Sequence, residues 1–179
     1  MARRVDPGRR DRIVDSALTV IAAGGVAGTS HRRVAAHADV PLGSMTYHFA
    51  SMDALLREAF TRFATTIGDR FEARISAAHG TDELVEAIVD LVHGGGLAAS
   101  QDDLVLTLEL YTLAAREPAF RQITHDWMRR SRTVLAQHVG EERTHGLDAL
   151  VEGLFVHVSL DPEPHGRSVS ADAVRRLLS

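Results

Sequence analysis

The sequence predicts an all-α protein. Three observations carry that expectation. Apolar residues recur at three- and four-residue steps almost from end to end, as they do in helices with one buried face. No segment alternates apolar and polar residues long enough to make a strand. The periodic stretches are separated by Gly, Pro and short polar residues of the kinds that cap or stop helices.

Taken in order, Ile13, Val14, Ala17, Leu18 and Ile21 form the first apolar stripe, and Gly24-Gly25 ends it. Thr29 or Ser30 caps a second, short helix with Val34, Ala35 and Ala38 on its inner face. Asp39 follows at a turn, and Asp is one of the few non-Gly residues that tolerate a left-handed backbone. Pro41 suits the first turn of a third helix running to about Phe49. Ser51 caps a fourth, with Asp53 near its positive end. Leu56, Phe60, Phe63, Ile67 and Phe71 make that helix long.

Thr81-Asp82-Glu83 opens a fifth helix carrying Leu84, Ile88 and Leu91, which Gly94-Gly95-Gly96 closes. A sixth holds Leu104, Leu108 and Tyr111 and stops before Pro118. A seventh spans about Pro118 to Val139 with Phe120, Ile123, Trp127 and Leu135. Gly140 to Gly146 reads as a break; an eighth helix follows with Leu147, Leu150, Val151, Leu154 and Val158, stopped by DPEPHG. Ser170 caps a last short helix with Val174 and Leu177.

Composition narrows the function. The chain has 179 residues and a formal net charge of −4. It has no Cys, which removes disulfides, thiol nucleophiles and Cys-based metal sites. No apolar run is long enough to span a membrane, and the basic N-terminus leads into no signal-peptide core, so a cytoplasmic location is expected. The ten His show no HxxxH or HExxH spacing, and Gly94-Gly95-Gly96 lacks the strand and GK[ST] ending of a phosphate loop. GxSxG and GxGxxG are absent. Neither an enzyme, a metal nor a cofactor is therefore expected.

Charge is uneven. Residues 1–53 hold seven Arg against five Asp, and five of those Arg fall in the first twelve residues, whereas the rest of the chain is acidic. A basic arm on an acidic body points to a polyanion partner at one end.

Residues 30–49 read as helix, tight turn, helix: the helix-turn-helix plan, in which the second helix enters the major groove. Met45 and Phe49, four apart, face inward, which leaves Leu42, Ser44, Thr46, Tyr47 and His48 outside. Gly43 and the small hydroxyls permit close approach, while Tyr and His donate to phosphates or bases.

At these residues the sequence resembles a known family. The runs IVDSALTVIAAGG, TSHRRVAAHADV and PLGSMTYHFASMDALL, within about Arg9 to Ala59, are similar to the DNA-binding domain of the TetR/AcrR transcriptional regulators. Tyr47-His48-Phe49 followed by a Ser-capped helix with Leu55-Leu56 is the most distinctive part. LELYTLAAREPAF and LDALVEGLFVHVSL resemble the family's ligand-binding and dimerisation helices.

The resemblance implies an N-terminal three-helix helix-turn-helix domain over residues 1–50, joined to a helical ligand-binding and dimerisation domain over 51–179. It implies DNA contacts from Ser30, Arg32, Leu42, Gly43, Ser44, Thr46, Tyr47 and His48. Arg32 is the expected base reader, because its fork engages guanine bidentately; Tyr47 and His48 hold phosphates. Where the family usually has a Lys after the Ser capping helix four, this chain has Met52, and Arg residues of the arm are expected to supply that charge.

The expectation is a homodimeric repressor that binds a palindromic operator in double-stranded DNA and is released by a small, mostly apolar effector. Candidate effector-binding residues are Phe63, Ile67, Leu108, Tyr111, His125, Trp127, Phe155 and His157: large apolar side chains, with the polar tips of Tyr111, His125, Trp127 and His157 to orient a ligand. The two-fold interface is expected on helices eight and nine, through Leu150, Leu154, Val158, Val174 and Leu177. The rival reading is a helical interaction or ligand-binding protein that has lost operator binding.

Overall fold

Helix follows helix through the computed structural model, which describes residues 8–94, 96–97 and 99–179. Among the described residues there are nine α-helices and no strand: α1 (Arg9–Gly24), α2 (His31–His37), α3 (Leu42–His48), α4 (Met52–Ser76), α5 (Thr81–His93), α6 (Gln101–Arg116), α7 (Pro118–Val139), α8 (Glu141–Leu160) and α9 (Arg167–Leu178). None is long and apolar enough to cross a membrane. The all-α expectation holds.

The helices pack as two compact units. One takes the described part of residues 1–63 together with Val105–Ile123. Its α1–α3 core is built from Ile13, Val14, Ala17, Val34, Ala35, Met45 and Phe49, continued by Leu55 and Ala59 of α4. Leu18, Val40 and Met52 cover the edges. Met52, which stands where the resembled family usually has a Lys, is thus a packing residue. Further along α4, Phe60 meets Phe120 edge to face, with ring centroids 6.1 Å apart.

Charges also fasten α1 to α4. Arg62 pairs with Asp15 at 2.8 Å and with Asp11, and Arg10 pairs with Glu58. The Arg10 guanidinium also lies 5.0 Å above the Phe49 ring centroid. Arg9, Arg10 and Arg12 therefore belong to a helix rather than to a free arm; Arg3 and Arg4, also assigned to the arm, lie outside the described residues.

The other unit comprises Ala64–Leu104 and Thr124–Ser179. Within it α5 packs on α8 and α9, which also pack on each other. Arg130 joins α7 to α4 through Asp69 (2.7 Å) and Glu72 (2.5 Å), and Arg132 joins α7 to α8 through Asp148 at 3.2 Å.

Two sequence expectations are corrected by the structure. The break expected over Gly140–Gly146 is a single residue: Gly140 takes φ 73°, open to Gly, and α8 begins at Glu141. Glu141 and Glu142 suit its positive end, and the Thr144 hydroxyl donates to the Gly140 carbonyl at 2.6 Å. Ser170 does not cap α9. The helix starts a turn earlier, after Gly166, which leaves Ser170 inside and fully buried.

Candidate nucleic-acid interface

The interface candidate begins at the N-terminus of α2. Ser30 is extended (φ −147°, ψ 155°), and its Oγ accepts from the Arg33 amide at 3.3 Å, which settles the cap on Ser30 rather than Thr29. Its hydroxyl hydrogen is left to donate. The two neighbouring arginines have different fates. Arg33 reaches back to donate to the Gly28 carbonyl at 2.5 Å and covers Gly24 and Gly28. Arg32 is exposed and has no hydrogen-bond or ion-pair partner among the described residues.

The turn follows from its residues. Val40 donates to the Ala35 carbonyl at 3.0 Å, and Asp39 takes φ 51°, the left-handed conformation expected of it. Pro41 (φ −58°, ψ 141°) occupies the N-cap position of α3, one residue earlier than expected. Its carbonyl accepts from the Ser44 amide at 2.8 Å, and Phe49 closes the helix by donating to Met45 at 2.8 Å.

Along α3 the two faces separate sharply. Met45 and Phe49 are buried, as their spacing predicts. Leu42 and Tyr47, 53% and 82% exposed, stand on the opposite face with Gly43 and Thr46. A Cβ built on Gly43 would meet nothing within 4 Å, so no internal packing demands a glycine there. Thr46 donates to the Gly43 carbonyl at 3.2 Å, leaving its lone pairs outward. His48 is half-buried at the edge and stacks edge to face on Tyr47, centroids 4.9 Å apart.

Ser44 departs from the outward placement expected of it. Its side chain is 1% exposed, and Oγ is buried with no hydrogen-bond partner among the described residues. The reason is the width of the inner stripe. Residues at i and i+1 share a helix face with those at i+4 and i+5, so Ser44-Met45 and His48-Phe49 form one band about 100° wide. A buried hydroxyl without a partner carries a desolvation cost, so Ser44→Ala is expected to be neutral or to stabilise by up to about 1 kcal/mol. Urea denaturation checks this; a loss of more than about 1 kcal/mol would reveal a hydrogen bond that Ser44 makes.

The candidate effector residues are less coherent. In the first unit Phe63 is buried, and Leu108 and Tyr111 are half-buried. In the second, Ile67 and Phe155 are buried and Trp127 is half-buried. His125 and His157 are exposed rather than interior, and the buried residues nearest them in sequence are Thr124 and Phe155. Three clefts in the second unit, of 440, 320 and 210 Å³, are lined chiefly by polar residues of α7 and α8. None of the eight candidates lines them.

Sequence reasoning missed the local use of Arg33 and of Arg10. Gly24 and Gly28 could have signalled the first, whereas Glu58 and Phe49 come within reach of Arg10 only once the helices pack.

Comparison with known proteins identifies the family of both parts of the chain. Residues 13–59 match the family model for bacterial regulatory proteins of the tetR family, and residues 79–179 match a tetracycline repressor-like C-terminal domain. A transcriptional regulator from Streptomyces coelicolor A3(2), SCO7518, is 52% identical, with 97% of this chain and 99% of that one covered at a TM-score of 0.90. The multidrug-binding protein EbrR, solved in complex with ethidium, is 33% identical over 96% of this chain and 99% of its own, at a TM-score of 0.79. The transcriptional regulator BetI of Paraburkholderia phymatum is 24% identical over 87% of this chain and 84% of its own.

Proposed function

Because this chain belongs to the TetR family of bacterial regulatory proteins, we propose that it is a dimeric repressor that binds a palindromic operator and leaves it when a small molecule binds. The observation that carries the reading is the outer face of α3. Leu42 and Tyr47 stand exposed with Gly43 and Thr46 on one side of a short helix whose other side is buried, at the place in the helix-turn-helix plan that enters the major groove. Arg32 reads a base, and Tyr47 and His48 hold phosphates. Functionally, the head is residues 1–50 and the body residues 51–179.

The body would pair with its two-fold mate through α8 and α9. Leu150, Leu154, Val158 and Leu177 are half-buried in the single chain, and Leu160 and Val169 are 52% and 54% exposed. Val174, expected in this set, is fully buried within its own chain and has nothing left to offer a partner. The effector would be mostly apolar with one or two hydrogen-bonding groups, held in the second unit by Ile67, Trp127 and Phe155. The acidic body and the likeness to EbrR with ethidium favour a flat aromatic cation over an anion.

Operator selection from random duplexes, followed by anisotropy titration, tests both halves. The selected site should be palindromic, with half-sites about one helical turn, roughly 34 Å, apart. Arg32→Ala should lose about 1–3 kcal/mol and relax one base position, while His48→Ala weakens all sequences alike. Ethidium should bind the protein in the absence of DNA, read by the anisotropy of the dye itself, because the dye also intercalates into duplexes. Equal affinity for every duplex would leave the rival, a helical protein without operator binding, as the better reading.

A further inference from the structure

Away from both proposed sites, three polar side chains meet where α5, α9 and the segment between α8 and α9 come together. Ser170 is fully buried, with Oγ 2.8 Å from His93 Nε2 and 2.9 Å from His165 Nε2. The two rings meet edge to face, centroids 5.8 Å apart. We propose that His93, Ser170 and His165 form a proton-operated latch, which holds the start of α9 on α5 while both rings are neutral and releases it when they gain protons. The latch goes beyond the regulator reading and does not depend on it.

The chemistry follows from counting donors. A neutral imidazole has one N–H and one bare nitrogen. One ring can therefore donate Nε2–H to Oγ while the Ser170 hydroxyl donates to the bare Nε2 of the other, and all three groups are satisfied. A protonated imidazole has only donors. Once both rings are charged, two N–H groups converge on one oxygen, the hydroxyl loses its acceptor, and two cations stand side by side.

The surroundings do not relieve them. α9 adds the Arg167 guanidinium. α5 has Glu86 and Asp90, but Asp90 is shared by Arg74 of α4 and Arg167, each at 2.6 Å, and Glu86 lies 3.6 Å from Arg167. In its last turn α8 has only His157, which is exposed, and the connecting segment adds Asp161 and Glu163, also exposed. The end of α5 does favour positive charge at His93. Burial opposes it more strongly, and the charges of His165 and Arg167 add to that, so the His93 pKa falls below its ordinary 6.5. The unfolded segment therefore takes up its proton first. The part of the latch that depends on a neutral His93 contributes fully above about pH 6.5 and is lost as pH falls through the window beneath it.

Hydrogen exchange on the full chain at about pH 7.5 and about pH 5.5, corrected for intrinsic rates, tests the latch. Opening of α9 should rise by up to about tenfold per pH unit for each coupled proton, with α1–α3 in the same sample as the internal reference. His93→Gln and His165→Gln keep a group that can donate and accept but does not titrate, so each should flatten the pH dependence. Equal protection of α9 at both pH values in the native chain would overturn the proposal, as would a native slope persisting in both variants. If neither variant folds, a native His93 ring that titrates at or above its ordinary pKa overturns it instead. A chain that binds no operator at neutral pH defeats the regulator reading and leaves this test intact.

Discussion

Leu154→Arg is expected to convert the protein to monomers and abolish operator binding. On α8 the residues facing the interior of their own unit are Thr144, Leu147, Val151 and Phe155. Leu150, Leu154 and Val158 run alongside at four-residue steps and remain half-exposed. An Arg at position 154 can keep its stem on the protein and its head in water, so the single chain should still fold. In a two-fold interface the substitution occurs twice, and both guanidinium groups must leave water. The penalty is several kcal/mol per ion, and every 1.4 kcal/mol is about a factor of ten in the dimer dissociation constant. On the proposed palindromic operator one head alone would cover a single half-site, so specific binding should fall to the salt-dependent background of about 10⁻⁴–10⁻⁶ M. Sedimentation, with circular dichroism to show the helices intact, measures the first effect, and anisotropy the second. A variant that stays dimeric would place the interface elsewhere.

The head was legible in the sequence because its signals are short-range. Met45 and Phe49 lie one turn apart, Asp39 can turn the chain, and Ser30 and Ser51 cap the helices they precede, with Ser51 Oγ accepting from Ala54 at 3.1 Å. Ser44 escaped because spacing locates the middle of an inner face but not its width. The body was less legible. Periodicity says that Val174 and Leu154 both lie on apolar faces, but it cannot say that α5 and α8 cover the first completely and that the second stays half-covered. A serine before an apolar run reads as a cap; that Ser170 instead lies inside, between two histidines distant in sequence, follows only once α5 and α9 are packed together.

Phe60→Ala is expected to cost about 3–5 kcal/mol of stability, the upper range for truncating one side chain. Phe60 is fully buried and Phe120, whose ring it meets at 84°, is 1% exposed, so neither cavity wall can relax toward solvent. A domain has only about 5–15 kcal/mol in all, so much of the margin goes with one side chain. Phe60→Leu keeps most of the volume and should cost under about 1.5 kcal/mol. Phe60→Ala combined with Phe120→Ala should cost less than the two singles together, because each removes the same edge-to-face contact, worth about 0.5–1.5 kcal/mol beyond burial. Urea denaturation of the native chain, the two singles and the double supplies the cycle. A Phe60→Ala loss below about 1 kcal/mol would mean that the site collapses freely and that this packing matters little. Operator binding adds a second criterion. Phe60 lies in the same unit as α3 but does not touch its outer face, so the folded fraction of the variant should bind with the native salt dependence. A changed salt slope would mean that α4 sets the position of the exposed α3 residues as well as supporting their core.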